Sequence, residues 1–415
     1  MRLRPYLTLL RGNSAFTRLF AAQLVSFAGD WFATVALLGL ALELTGSPGV
    51  ASLLLVVQTG AFALASPLAG VLADRYDRRR LMVLADVARV PVALAFLLAR
   101  DPDTLWIAFV AAAVLSLGAA VFEPSSSASL PNLVGEGELA EANVLIGSAW
   151  GTMLAVGAAL GGLVAATLGR DVAFAINAAS FAASALLILG IRRSFRAPRE
   201  EATAGSPQPE RGGIGESIRV VLRFARGNRT LAALLLSKTT FGVGTGVIVL
   251  LAVFGRDVFH AGDAGIGILF AARGLGALLG PFLVRSIVGV SERGLIGGIA
   301  ASFGIFAVSY GLLPLAPILP LAAVAVFAAH LGGGAQWTLS SYGLQRAAPD
   351  AIRGRVFSFD YGLVTLTITF STLVAGFLAE RSSPAATTWT MVGLAAVAAI
   401  GWIAFARPVW RRTGG

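Results

Sequence analysis

Apolar residues run along this chain in long stretches between charges. A helix that crosses a membrane needs roughly 20 mostly apolar residues to cover about 30 Å of hydrocarbon. Twelve stretches reach that length. Residues 19 to 42 carry one charge, Asp30; 48 to 73 carry none; 81 to 99 carry Asp86 and Arg89 near one end; 104 to 122 carry none. Residues 142 to 169 and 172 to 191 are free of charge, 230 to 255 carry only Lys238, and 264 to 284 only Arg273. The run from 294 to 345 is too long for one crossing and divides where Pro314, Pro317 and Pro320 mark a turn. The last two spans are 360 to 379 and 382 to 406. Open sheets cannot cross lipid and these runs exceed barrel strands, so an all-α membrane bundle is predicted. The first span is too long for a signal h-region and holds Asp30 at its middle, so it is expected to stay with the chain.

The long polar stretch from 192 to 228 separates six spans from six. Its Gly205-Ser-Pro-Gln-Pro209 core is flexible by composition. Beyond it Ile218, Val221, Leu222 and Ala225 recur at helical spacing opposite Arg219, Arg223 and Arg226, the pattern of an amphipathic helix lying on a membrane face. Three regions are therefore expected: 1–191, 192–228 and 229–415. A faint repeat links the two halves. Gly70-Val-Leu-Ala-Asp74-Arg75 aligns with Gly280-Pro-Phe-Leu-Val284-Arg285, each closing the second span of its half. Parallel halves of this kind describe one class of transporter.

Composition sharpens the picture. The 415 residues are 56% hydrophobic and 13% charged, where soluble domains carry about 25% charged residues. Mean hydropathy is +0.80. The net charge of +10 would suggest nucleic acid in a soluble protein. Here about 25 of the 32 basic residues fall in loops on the side of the termini and about four in the opposite loops, so the excess records topology, no nucleic-acid partner is expected, and both termini are placed in the cytoplasm. Cysteine is absent and only His260 and His330 are present, which removes thiol chemistry and makes a metal cluster unexpected. With no Walker A sequence, no visible nucleophile and no appended domain, neither a cofactor nor an enzymatic activity is expected.

The turn Gly70-Val-Leu-Ala-Asp74-Arg75-Tyr76-Asp77-Arg78-Arg79-Arg80-Leu81 resembles the signature G-x-x-x-D-R-x-G-R-R-x of the major facilitator superfamily of secondary transporters, with Asp77 at the signature's second glycine. Ser26-Phe-Ala-Gly29-Asp30, Leu42-Glu-Leu-Thr-Gly-Ser47, the segment from Glu123-Pro124 to Glu141-Ala-Asn143, and Pro349-Asp-Ala-Ile-Arg353-Gly-Arg355 resemble the branch that holds macrolide efflux pumps and the enterobactin exporter. Gly157-Ala158-Ala-Leu-Gly161-Gly162 is similar to the antiporter motif G-P-x-x-G-G, with alanine for proline. The resemblance implies twelve helices in two six-helix pseudo-repeats around a central cavity. It further implies export of a small, amphipathic molecule, a drug, macrolide-like compound or siderophore, by alternating access in exchange for protons, from a monomer in a bacterial cell membrane. An importer or lysophospholipid flippase on the same scaffold, or a non-transporting receptor, stays open.

Charges within membrane helices cost roughly 2.5 to 3.5 kcal/mol each, so they are functional candidates by default. Asp30 and His330 are candidate proton carriers, since a buried carboxylate with a changing counter-charge, or an imidazole, can load and release protons. A permanent pair of Asp30 with Arg273 or Lys238 is the structural alternative. Gln23, Trp31, Gln58, Lys238, Arg273, Gln336 and Trp337 are candidate cavity residues, several of them by the resemblance. Gly70, Asp74, Arg75, Arg78 and Arg79, with Arg353 and Arg355 before span eleven, form a candidate conformational latch; the plainer reading is a topogenic basic loop that meets membrane lipid. Asp86, Arg89 and Glu123 are read as a structural charge cluster beneath that turn.

Overall fold

A computed structural model describes residues 4–195, 214–287 and 291–412. Most of the expected polar linker, residues 196–213, lies outside the described residues. A short helix α1 (Arg4–Gly12) leads into α2 (Ser14–Thr45), α3 (Pro48–Arg75), α4 (Arg78–Leu94), α5 (Leu105–Leu133), α6 (Leu139–Thr167) and α7 (Arg170–Leu189). After the linker come α8 (Ile214–Gly227), α9 (Arg229–Gly244), α10 (Val247–Val253), α11 (Gly262–Ile287), α12 (Glu292–Leu312), α13 (Leu319–Ala347), α14 (Asp350–Ala379) and α15 (Pro384–Arg412). A wider π turn at Phe254–Val258 continues α10, so that α9, α10 and this turn make one span. Among the described residues there is no strand, and twelve helical segments are long and apolar enough to cross a membrane.

Two boundaries differ from the charge-free runs. Helix α5 does not stop at residue 122 but continues through Glu123, Pro124 and Pro131 to Leu133. Helix α14 begins ten residues before Asp360, at Asp350, so Asp360 lies inside a span and not at its edge. The reason is the same for both. A charged side chain marks the end of an uncharged run, but the backbone hydrogen bonding of a helix is indifferent to it.

Local chemistry sets the helix ends. The Asn13 side chain accepts from the Phe16 N–H at 3.1 Å while its amide donates to Leu133 O at 2.8 Å, capping α2 and tying it to the end of α5. Gly46 closes α2 at φ 62°, a left-handed conformation that glycine adopts without steric cost. Asp77 caps α4 by accepting from the Arg80 N–H at 2.8 Å. Its departure from the family signature therefore starts a helix.

The chain divides into two compact units. The first is Met1–Ala202 with Ala252–Ala271, the second Thr203–Leu251 with Ala272–Gly415. In the first unit α2 packs on α6 and α7, α3 on α5, and α4 on α5 and α7. Phe16, Leu19, Met82, Leu133 and Ile188 form a core there. In the second, α9 packs on α13, α14 and α15, and α12 on α13 and α15. Its core includes Val221, Leu231, Leu234, Phe303, Leu344 and Val356, with the Trp402 indole donating to Ala233 O at 2.7 Å. Val221 brings amphipathic α8 into that core, with Phe224 and Ala225 packed against it, while Ile218 and Leu222 are exposed.

Small residues let helices of the first unit touch backbone to backbone. A Cβ built on Gly161 of α6 would lie 2.7 Å from Phe32 Cα, and one on Gly162 2.7 Å from Gly267 Cα. Overpacking of this kind costs about 1–3 kcal/mol. Gly161→Val is therefore expected to lower the thermal unfolding midpoint in detergent by several degrees. Gly147→Val, on the same helix with open space around the glycine, is expected to leave the midpoint in place.

Candidate functional site

The membrane interior of the first unit holds one guanidinium among three carboxylates. Arg89 of α4 is buried and pairs with Asp86 one turn earlier, which is also buried. Its guanidinium lies over the Phe181 ring at 4.2 Å and the Phe122 ring at 5.5 Å. The stem crosses α5 at Gly118, where a Cβ would come within 2.7 Å of Arg89 Cδ. Asp30 of α2 and Glu123 of α5 both lie within electrostatic reach of Arg89, and of each other. Asp30, expected apart from the Asp86, Arg89 and Glu123 group, belongs with these three to one cluster. Within this unit the cation beside Asp30 is Arg89.

Polar residues of α7 extend the cluster. Gly29, next to Asp30, faces Ser180 and Asn177, whose side chains occupy the space a Cβ would take. Asn177 is fully buried, and among the described residues neither end of its amide has a hydrogen-bond partner. Ser184 is a further polar side chain at Asp86. Asn177, Ser180 and Ser184 were missed in the sequence, although their spacing of three and four puts them on one helix face. Gln23 is buried on α2, Trp31 stacks edge-on with Trp150 and near Phe270, and Gln58 is half-buried on α3.

At the end of α7 that leads in from Gly169, Arg170 makes a clasp. It donates through Nε to Asp263 Oδ2 at 2.7 Å and through a terminal nitrogen to Asp263 Oδ1 at 3.1 Å, and pairs with Glu43 Oε2 at 2.7 Å. Gly39 leaves the room that the Asp263 carboxylate fills. A bidentate guanidinium–carboxylate pair is among the stronger polar contacts available to side chains.

The second unit holds a different pair. Lys238 of α9 donates to Asp360 Oδ2 of α14 at 2.5 Å, and both side chains are buried. The Lys238 ammonium also lies 4.8 Å from the centre of the Trp337 ring on α13, and Gln336 beside it donates to Ser237 Oγ at 3.3 Å. Two of the expected cavity residues, Lys238 and Trp337, thus meet, with Gln336 bonded to the residue before Lys238, and Lys238 pairs with Asp360, which lies inside a span and not at its border. Elsewhere in this unit the Tyr310 hydroxyl and His330 Nε2 share a hydrogen bond of 2.8 Å, with Arg273 within electrostatic reach of both. Gly276 and Gly333 give His330 its space.

The latch residues are described in part. Gly70 and the Asp74 side chain lie outside the described residues. Arg75 is exposed. Arg78 donates to Ala128 O at 2.7 Å and to Phe195 O at 3.3 Å, and Arg79 to Leu189 O, which tie the α3–α4 turn to the ends of α5 and α7 in its own unit. Arg353 donates to Ala348 O at 3.5 Å, and Arg355 is half-buried. Among the described residues no group of three or more His, Asp or Glu side chains could hold a metal ion.

Twelve helical spans with ionisable groups inside them, among the described residues, define an α-helical multi-pass membrane protein with the span count of the major facilitator superfamily. The chain belongs to the transmembrane secretion effector family of that superfamily, which it matches over residues 8–412. It is 28% identical to the Bacillus subtilis MFS-type transporter YfiS over 52% of this chain, spanning about half, 51%, of that protein's length. With the enterobactin exporter EntS of Shigella boydii it shares 26% identity over 84% of this chain and 82% of that one. Among solved structures it is similar to a bacterial homolog of the human lysosomal transporter Spinster, with a TM-score of 0.72 at 16% identity, over 95% of this chain and 96% of that one.

Removing one partner from a buried ion pair costs about 3–5 kcal/mol, because the remaining charge is left uncompensated. Arg89→Met is expected to destabilise the protein on that scale, read as a fall in the thermal unfolding midpoint. Adding Asp86→Asn to Arg89→Met is expected to recover a large part of the loss.

Proposed function

We propose that this protein exports a small, amphipathic molecule from a bacterial cell by alternating access, in exchange for protons. The observation that carries the reading is the first unit's cluster: Asp30, Asp86 and Glu123 around the single guanidinium of Arg89. In a membrane interior an unbalanced carboxylate is expensive, so three carboxylates around one cation are best balanced when protons are bound. Asp30 is the carrier in this proposal, with Glu123 as its partner, and Arg89 is the counter-charge that Asp86 holds in place. Membership in a secretion effector family and likeness to a protein named as an enterobactin exporter support outward transport. The energetics are adequate. One proton moving down 100 mV supplies about 2.3 kcal/mol, which supports roughly a fiftyfold gradient of a neutral substrate.

The same proposal places both termini in the cytoplasm, on the distribution of basic residues, and assigns the turn from Gly70 to Arg80 the role of a latch with Arg353 and Arg355. The anchoring of Arg78 and Arg79 to neighbouring helix ends supports a turn that moves as one body with its unit.

Coupling is tested in everted membrane vesicles under an imposed pH gradient, with macrolides, cationic dyes and siderophores as substrates. Asp30→Asn is expected to bring gradient-driven uptake to the level of empty vesicles while protein remains in the membrane; normal coupling in that variant removes Asp30 from the mechanism. Orientation is tested separately, using the absence of cysteine from the natural sequence. A thiol introduced by Asp103→Cys is expected to react with a membrane-impermeant maleimide in intact cells. One introduced by Glu216→Cys is expected to react only after the cells are opened.

A further inference from the structure

Each unit leads into its first span through an amphipathic helix and the same three residues. Arg11-Gly12 closes α1 and Arg226-Gly227 closes α8, and an asparagine follows in both, Asn13 and Asn228. The two asparagines do the same work. Asn13 Oδ1 accepts from the Phe16 N–H and its carbonyl from Thr17, as Asn228 Oδ1 accepts from the Leu231 N–H and its carbonyl from Ala232. The helices before them are placed alike as well: α1 packs on α2 and α6, and α8 on α9 and α14, the first and fifth spans of their units. Leu9 and Val221 enter the cores of their units, while Leu7, Ile218 and Leu222 are exposed.

A cavity opens beside each of these turns. That of the first unit is about 750 Å³ and lies between the start of α2 and the chain leaving α7. That of the second is about 620 Å³ and lies between α8, the start of α9 and the ends of α14 and α15. Both are in the range of about 300–1,000 Å³ that small-molecule sites occupy. Their walls include Ser14 and Leu189 in the first unit and Arg229, Ile352 and Val409 in the second, each the terminal residue of a membrane span. Both cavities therefore stand at the level where hydrocarbon gives way to lipid headgroups.

The charge in the walls has one sign. Arg18, Arg192 and Arg193 line the first cavity, Arg223 and Arg229 the second, and no acidic residue lines either. Part of this set is held in place by the protein. Arg18 donates to Gly190 O, Arg193 to Leu133 O at 2.9 Å, and Arg229 to Phe405 O at 3.1 Å, with its guanidinium 5.0 Å from the centre of the Phe405 ring. Among the described residues no hydrogen bond or ion pair engages Arg192 or Arg223. Each cavity thus joins a fixed guanidinium to one that is free to turn, and a phosphate group suits such a pair because guanidinium forks match its oxygens. The N-termini of α2 and α9 add partial positive charge at the same places. Ile191 in the first cavity, and Val220 and Phe224 in the second, supply an apolar wall beside the arginines.

We propose that each cavity binds the headgroup of an acidic glycerophospholipid. Arg192 and Arg193 hold its phosphate in the first unit, Arg223 and Arg229 in the second, and the glycerol and first acyl carbons lie against the apolar wall. The protein then carries two equivalent lipid sites, built by the same turn in each half, which fasten α1 and α8 to one leaflet. The inference rests on the membrane-spanning fold and is independent of export and of proton exchange.

Native mass spectrometry of the full-length chain tests the sites. The protein is stripped of lipid in detergent and titrated with dioleoylphosphatidylglycerol or dioleoylphosphatidylcholine, and the lipids retained per molecule are counted. The wild type is expected to retain two phosphatidylglycerols, and to hold phosphatidylcholine at least about fivefold more weakly, as the loss of net lipid charge at a basic site predicts. Arg192→Gln with Arg193→Gln is expected to lose one of the two, and Arg223→Gln with Arg229→Gln the other. Arg219→Gln with Arg226→Gln removes the same charge from α8 outside the cavity and is expected to keep both. Equal retention of the two lipids by the wild type, equal losses in the Arg219/Arg226 control, or displacement of the lipid by millimolar inorganic phosphate would overturn the proposal, the last by showing a site for a free anion. If a double variant does not fold, Arg192→Gln and Arg223→Gln alone, which break no contact within the protein, are each expected to weaken one lipid severalfold, and unchanged retention in both would overturn it equally. Because retention is read without flux, loss of gradient-driven transport in vesicles rejects the export reading and leaves the lipid sites standing.

Discussion

A charge in the hydrocarbon interior must bring its own compensation, and the architecture of this protein follows from how that is arranged. Arg89 cannot stand among apolar helices without Asp86, nor Lys238 without Asp360. In each unit the compensating residue comes from a position that packing holds firmly: one turn away on the same helix for Arg89, and across a helix pair for Lys238. Aromatic faces do the rest, Phe122 and Phe181 for the guanidinium and Trp337 for the ammonium, since a ring quadrupole attracts a cation without adding a charge that must itself be solvated.

Such pairs can form only where helices approach closely, and small residues make that possible at the polar sites in particular. Gly118 lets the Arg89 stem lie on α5, Gly29 makes room for Asn177 and Ser180, and Gly39 receives the Asp263 carboxylate. The runs of glycine in the sequence therefore serve two purposes. Gly161 and Gly162 bring backbones together, as membrane helices without a hydrophobic driving force require. Gly29, Gly39 and Gly118 open space for polar side chains between helices that are otherwise apolar.

Much of the fold was legible because the bilayer imposes a length on every span, and runs without charge recover that length. The same criterion explains what was hidden. It stopped the fourth span at Glu123 and began the eleventh at Asp360, turning two interior carboxylates into boundary markers, although both helices run on past them. Reading the segment from Ile352 for helical continuity would have placed Asp360 two turns inside. The grouping of Asp30 with Arg89 was hidden for another reason, that contact between α2 and its neighbours is set by which faces meet. In a helix that is apolar nearly all round, periodicity does not mark the inward face. Asn177, Ser180 and Ser184 carried such a mark on α7, and a search for polar residues at spacings of three and four would have found it.

The two units compensate their interior charges differently. The first sets three carboxylates around one guanidinium, the second pairs one lysine with one carboxylate. A protein selected only for stability would have little reason to retain either, because well-packed apolar residues commonly replace buried ion pairs at no loss. A site whose interior charges are short of neutrality makes the occupied and empty states differ in charge, which is the difference that a membrane gradient can act upon.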